Sequence, residues 1–196
     1  MAAEFFVKLC FDGDLEAVRA ALQFGVDVNS KDKYGQTGLM KALFGKRTAV
    51  VRLLLKQRGI NVNIIDDCGN TALHFAAANK ADWGDRNKKS LAMLFARTTS
   101  VNQRNGIGQT PLHWAVNYNA VSCIRLLLSD KRTDPNIKDD RGDSPYTYPI
   151  KIKSWCSTPL MAAVKRNRVD CVKLLLADPR VDLMTRDVRS ERVVAR

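Results

Sequence analysis

Gly108-Gln109-Thr110-Pro111-Leu112-His113-Trp114-Ala115-Val116 is the stretch whose reading decides how this chain folds. Gly108 ends a turn that Asn105 can open, because a short side-chain acceptor at the first position and a glycine at the last suit a tight reversal. Thr110 offers a hydroxyl to the free N–H groups of a helix start. Pro111 follows as the first helical residue, where its missing donor costs nothing. Leu112 and Ala115 then stand at i, i+3 on one helix face. The same wording recurs as GQTGLMKAL from Gly35, GNTALHFAA from Gly69 and STPLMAAV from Ser157. Asp32, Asp66 and Asp139 repeat the turn opening of Asn105, three residues before Gly35, Gly69 and Gly142. Working outward, each copy is followed by an apolar helical patch: VVRLLL (50–55), LAMLF (91–95), CIRLLL (123–128) and CVKLLL (171–176). Three of these units then close on Asn63, Asn102 and Asn136.

Self-similarity in register over most of the chain resembles the ankyrin-repeat family, whose period is about 33 residues with a T-P-L-H-x-A signature. The resemblance implies an all-α ankyrin-repeat solenoid of stacked helix-turn-helix units, with the Asx-x-x-Gly segments at the tips of β-hairpin fingers. One domain over 1–196 is expected, in units at about 4–30, 31–64, 65–103, 104–137 and 138–184. Residues 185–196 are left as a degenerate cap or truncated unit. No such unit can bury its apolar helix faces alone; stacking does it.

Composition narrows the function classes. The 196 residues carry a net charge of +12, a field that favours acidic partners without choosing among them. Five cysteines, an odd number with no C-x-x-C pair, point to a reducing compartment, cytoplasmic or nuclear. No run approaches the roughly 20 apolar residues of a membrane span. His74 and His113, the only two histidines, both take the fourth position of the signature, which suits bonding to neighbouring backbone rather than catalysis or zinc. No nucleophile–base pair stands out, so no enzyme activity and no cofactor are expected. Cys123 and Cys171 read as small buried hydrophobes. Arg52, Arg125 and Lys173 read as a solvated outer face.

Departures from the period are the strongest functional signal, because insertions map to loops and loops carry binding. Thr37 to Thr71 is 34 residues, Thr71 to Thr110 is 39, and Thr110 to Thr158 is 48. The first extra segment, 79–90, offers Trp83. The second, within 143–157, offers Tyr146, Tyr148, Lys151, Lys153 and Trp155 as an extended finger. The alternative is that Ile150, Ile152 and Trp155 fold back over the neighbouring finger. The family resemblance implies a binding face of finger tips and exposed inner helices, which here includes Tyr34, Phe44, Tyr118, Lys165 and Arg166. The expected partner is a protein with an acidic surface, bound by a monomer away from membranes. Nucleic acid or a nucleotide on the basic C-terminal units is the rival.

Overall fold

The computed structural model describes residues 2–78, 85–140 and 157–185. Among these, ten helices form five successive pairs: α1 (Ala2–Asp12) with α2 (Leu15–Gln23), α3 (Gly38–Phe44) with α4 (Thr48–Leu55), α5 (Ala72–Ala77) with α6 (Asp85–Arg97), α7 (Pro111–Asn117) with α8 (Val121–Ser129), and α9 (Pro159–Lys165) with α10 (Val169–Leu176). The first helix of each pair packs on the first helix of the next, giving an inner row α1, α3, α5, α7, α9. In the outer row α2 packs on α4, α4 on α6, and α8 on α10.

The recurring residues do what their chemistry suggests. Thr37 and Thr158 accept the N–H of Met40 and Met161 at 3.3 Å, starting α3 and α9. Leu39, Leu73, Leu112 and Leu160, with Ala42, Ala76, Ala115 and Ala163, are each no more than 2% exposed. Gly38 replaces the proline of other units because a Cβ there would lie 2.7 Å from Cys10 Sγ. In the outer leucine triplets the middle residue is always fully buried (Leu54, Leu127, Leu175), whereas Leu53, Leu126 and Leu174 are half-buried. Within four of the pairs the chain turns through a left-handed residue: Gly13, Lys46, Asn119 and Asn167.

Among the described residues the expected β-hairpin fingers do not form. No strand occurs among the described residues, only the isolated antiparallel bridges Lys31–Thr37 and Ile65–Thr71. The reason lies in the side chain that opens each turn. Asp32 Oδ1 accepts the N–H groups of both Tyr34 and Gln36 at 2.9 Å, so donors that a ladder would need are already engaged. What projects is a compact turn. Neighbouring tips are tied sideways instead: Asp67 N–H to Tyr34 O (3.2 Å), Gly106 N–H to Cys68 O (2.7 Å) and Asp140 N–H to Ile107 O (3.0 Å).

The same turn base encloses the long insertion. Asp139 N–H donates to Ser157 O at 3.0 Å, and Ser157 N–H donates to Asp139 Oδ1 at 2.7 Å. Asn105 and Gln109 pair in that way across a turn of ordinary length. Ser157 therefore stands where Gln36, Asn70 and Gln109 stand.

Asparagines stitch the loops after the outer helices. Asn29, Asn63, Asn102 and Asn136 each donate Nδ2–H to a carbonyl of the next unit and accept one of its N–H groups on Oδ1, at 2.7–3.2 Å. Asn29 belongs to this set although the first unit lacks the signature. Arg97, Arg132 and Arg180 reach back to carbonyls at or just beyond the ends of α4, α6 and α8, with contacts of 2.7–2.8 Å to Leu55, Thr98 and Leu128. They satisfy acceptors that a helix end leaves open.

Truncating Leu112 to alanine is expected to destabilise the protein by about 2–4 kcal/mol. Leu126→Ala, at a half-buried position, should cost roughly half as much or less. Urea denaturation of the two variants beside wild type checks both.

Candidate binding surface

The inner helices present one face that the stack covers only in part. Positions four and seven residues after each capping threonine share that face. They hold Lys41 and Phe44 on α3, Phe75 and Ala78 at α5, Trp114 and Asn117 on α7, and Ala162 and Lys165 on α9. Across α1, α3, α5 and α7 the aromatics meet in a continuous row. Phe11 stacks on Phe44 with centroids 6.4 Å apart and planes 22° from parallel. Phe44 meets Phe75 edge-on at 6.3 Å, Phe75 meets Trp114 at 5.8 Å, and Trp114 meets Tyr118 at 5.9 Å. Such pairs are worth about 0.5–1.5 kcal/mol each beyond their buried area. Phe75 is buried and Trp114 half-buried, while Phe44 remains 54% exposed and Phe11 and Tyr118 39%. The result is an apolar floor already held in place by its own ring contacts.

Phe44 and Tyr118 are thus brought into one row. Tyr34 is not in it; it stands exposed on the first turn tip, with the ammonium groups of Lys33 and Lys41 at 5.2 and 5.7 Å from its ring centre. Lys165 and Arg166 lie exposed at the end of α9, where Arg166 Nε donates to Asn117 Oδ1 at 2.8 Å and so adjoins the row. Trp83, Tyr146, Tyr148, Lys151, Lys153 and Trp155 lie outside the described residues. Sequence reasoning missed Phe11, Phe75 and Trp114. The signal was present: Phe75 and Trp114 each follow the signature histidine, and Phe11 precedes Gly13 by the interval that separates Phe44 from Lys46.

A family model of ankyrin repeats in three copies matches residues 6–105 and 85–187. The chain belongs to the ankyrin-repeat family. It is 34% identical over 146 residues to a putative ankyrin repeat protein of Fowlpox virus (strain NVSL), covering 73% of this chain and 41% of the relative. It is 37% identical over 103 residues to the nuclear factor NF-kappa-B p105 subunit of Gallus gallus (52% and 10%). A putative ankyrin repeat protein of Rickettsia felis is 34% identical over 137 residues (68% and 42%). The chain therefore spans about two-fifths or less of these relatives' length. The ankyrin-repeat fold is a non-catalytic scaffold of the kind that carries protein–protein interaction.

The side chains with potential chemistry serve the ankyrin framework. Thr71 N–H donates to His74 Nδ1 at 3.1 Å, so the imidazole proton sits on Nε2, which donates to Gln109 O in the next unit at 3.0 Å. Thr110, His113 and Ser157 repeat the arrangement at 3.2 and 2.9 Å. Each histidine thus fixes its own helix start and the following turn base. Cys68 is exposed on a turn tip, but burial, then Asp66 and Asp67, push its thiol pKa up, away from the reactive thiolate. Cys123 and Cys171 are buried, their thiols against Ala76 O and Asn119 Oδ1. Among the described residues no cluster of His, Cys, Asp and Glu could hold a metal, and no helix is long and apolar enough to cross a membrane.

Burial pushes the pKa of His74 down to about 4, against smaller opposing effects from the Gln109 carbonyl and Asp66. A base whose folded pKa lies below its unfolded value binds its proton preferentially when unfolded. His74 should therefore cost no stability above pH about 6.5, and an increasing amount, reaching about 3 kcal/mol, as pH falls toward 4. Gln can still reach back to the Thr71 N–H as in a capping box. The difference in unfolding free energy between wild type and His74→Gln should narrow steadily over that window, as measured by denaturant titration at a series of pH values.

Proposed function

We propose that this chain binds its protein partner through the aromatic row of the inner helices, with Phe44 and Tyr118 as anchors and Tyr34, Lys165 and Arg166 as flanking contacts. The observation that carries the reading is the exposure of Phe44 and Tyr118 at opposite parts of one connected row of rings. Rings at the centre of an interface dominate binding energy, and a floor that is ordered beforehand loses little entropy on binding. The net charge of +12 supports a partner with an acidic surface. Free cysteines at 10, 68, 123 and 171 support a reducing compartment, cytoplasmic or nuclear. The chain acts as one domain and as a monomer. The insertions supply a second, separable contact through Trp83 and through Tyr146, Tyr148, Lys151, Lys153 and Trp155.

Affinity capture from a nuclease-treated lysate separates these contributions. The Phe44→Ala/Tyr118→Ala variant should lose its partner by about tenfold or more, because both side chains are largely outside the core. Capture unchanged by that pair would move the interface elsewhere. Partners that vanish on nuclease treatment would instead identify a nucleic-acid binder.

Deleting Asp143–Cys156 joins Gly142 to Ser157 and restores the spacing of Asn105-Gly106-Ile107-Gly108-Gln109-Thr110. The melting transition should stay within a few degrees, while partner binding weakens about tenfold. A shortened chain that unfolds would show the insertion to be structural, read directly by circular dichroism.

A further inference from the structure

A concavity of about 800 Å³ opens between α1 and the first turn tip, beside the Phe11 end of the aromatic row. We propose that it takes a short acidic segment of the protein partner, which inserts one large apolar side chain among Phe5, Phe11 and Tyr34 and sets a carboxylate between Lys8 and Lys33. The proposal rests on the reading that this face binds protein, and it names the chemistry of what enters at one end.

Phe5 carries the first part of the argument. In register it occupies the position that Gly38, Ala72, Pro111 and Pro159 hold at the other inner helices. At Gly38 the preceding unit comes so close that a Cβ would lie 2.7 Å from Cys10 Sγ. A phenylalanine is not a stacking residue of that kind. Its ring is 63% exposed and lines the concavity with Phe11 and Tyr34, so three aromatics converge on a space that the stack itself does not fill.

The charges carry the second part. The lining contains Glu4 and Lys8 from α1, Asp32 and Lys33 from the turn, and Lys41 from α3. Asp32 is fully engaged: Oδ1 holds the N–H groups of Tyr34 and Gln36, and Oδ2 lies 3.3 Å from Lys41 Nζ. Lys8 and Lys33 have no ion-pair partner among the described residues. Two ammonium groups therefore flank an apolar space with Glu4 as the one other carboxylate on its wall. A nucleobase fits this less well than a side chain does. Phe11 is paired with Phe44 and Tyr34 is flanked by two lysines, which leaves Phe5 as the most exposed ring on the wall for stacking.

The test selects binders from a random twelve-residue peptide library displayed on phage against the immobilised full chain. Selected peptides are resynthesised and measured by fluorescence anisotropy on wild type, Phe5→Ala and Lys8→Glu/Lys33→Glu. These side chains are outside the core, and a thermal melt of each variant confirms the fold. The selected sequences should share a large apolar residue flanked by Asp or Glu. Affinity should fall about tenfold or more in both variants, with the charge-reversal effect shrinking as salt rises. An empty selection, sequences poor in carboxylates, or binding indifferent to both variants overturns the proposal. Peptides lost with Phe44→Ala/Tyr118→Ala, yet untouched by Phe5→Ala and the charge reversal, overturn this site while sustaining the wider face. A twelve-nucleotide thymidine strand that outbinds the best peptide and is lost in the same variants assigns the site to nucleic acid and overturns the proposal equally.

Discussion

Inner helices of six or seven residues, such as α5 and α7, are too short to be stable as isolated helices. They persist because they pack against neighbouring inner helices, α5 between α3 and α7 and α7 between α5 and α9. Ala42, Ala76, Ala115 and Ala163 allow that approach, and the would-be Cβ of Gly38 shows how little room remains. Once the helices lie this close, the other repeated features follow. A polar group caught between two units must find a partner across the junction, because leaving it unpaired costs about 1–3 kcal/mol. His74 and His113 do so through Nε2–H to the next turn base, and the four asparagines through both ends of their amides.

Most of this framework was legible in the residues, because it is written in local chemistry. A threonine before a proline, a leucine three residues before an alanine, and an Asx three before a glycine each act within one turn of chain. The hairpins were misread for the same reason. An Asx-x-x-Gly signal suits a hairpin tip and a free-standing turn equally, and the carboxylate of Asp32 decides between them by taking the backbone donors. The aromatic row was only half legible. Phe44 and Phe75 sit at different positions of their own units, seven and four residues after the cap, and meet only because the units are stacked. No comparison of equivalent positions aligns them.

Part of the net charge is engaged inside the stack. A guanidinium engaged with helix-end carbonyls is less available to a partner, and Arg97, Arg132 and Arg180 are engaged in this way. Arg132 and Arg180 are further paired with Asp130 and Asp178, whose carboxyl pKa values they hold down, chiefly by hydrogen bonding. Among the described residues, Lys8 and Lys33 stand near one end of the inner face and Lys165 and Arg166 near the other. The acidic partner proposed above would meet positive charge at both ends of an apolar floor.

The ring row ends where the long insertion enters the sequence, just before α9. The rings run from Phe11 to Tyr118 and give way, at the matching positions of α9, to Ala162 and Lys165. The insertion departs from the turn immediately before α9, where the apolar floor ends. Its base is closed by the Asp139–Ser157 pair, so α9 meets the same local bonds as α7 does through Asn105 and Gln109. Lengthening the enclosed segment from three residues to seventeen adds only about 1.5 kcal/mol of closure entropy. A stack that transmits its order through neighbour-to-neighbour contacts can carry such a loop at one joint without disturbing the next.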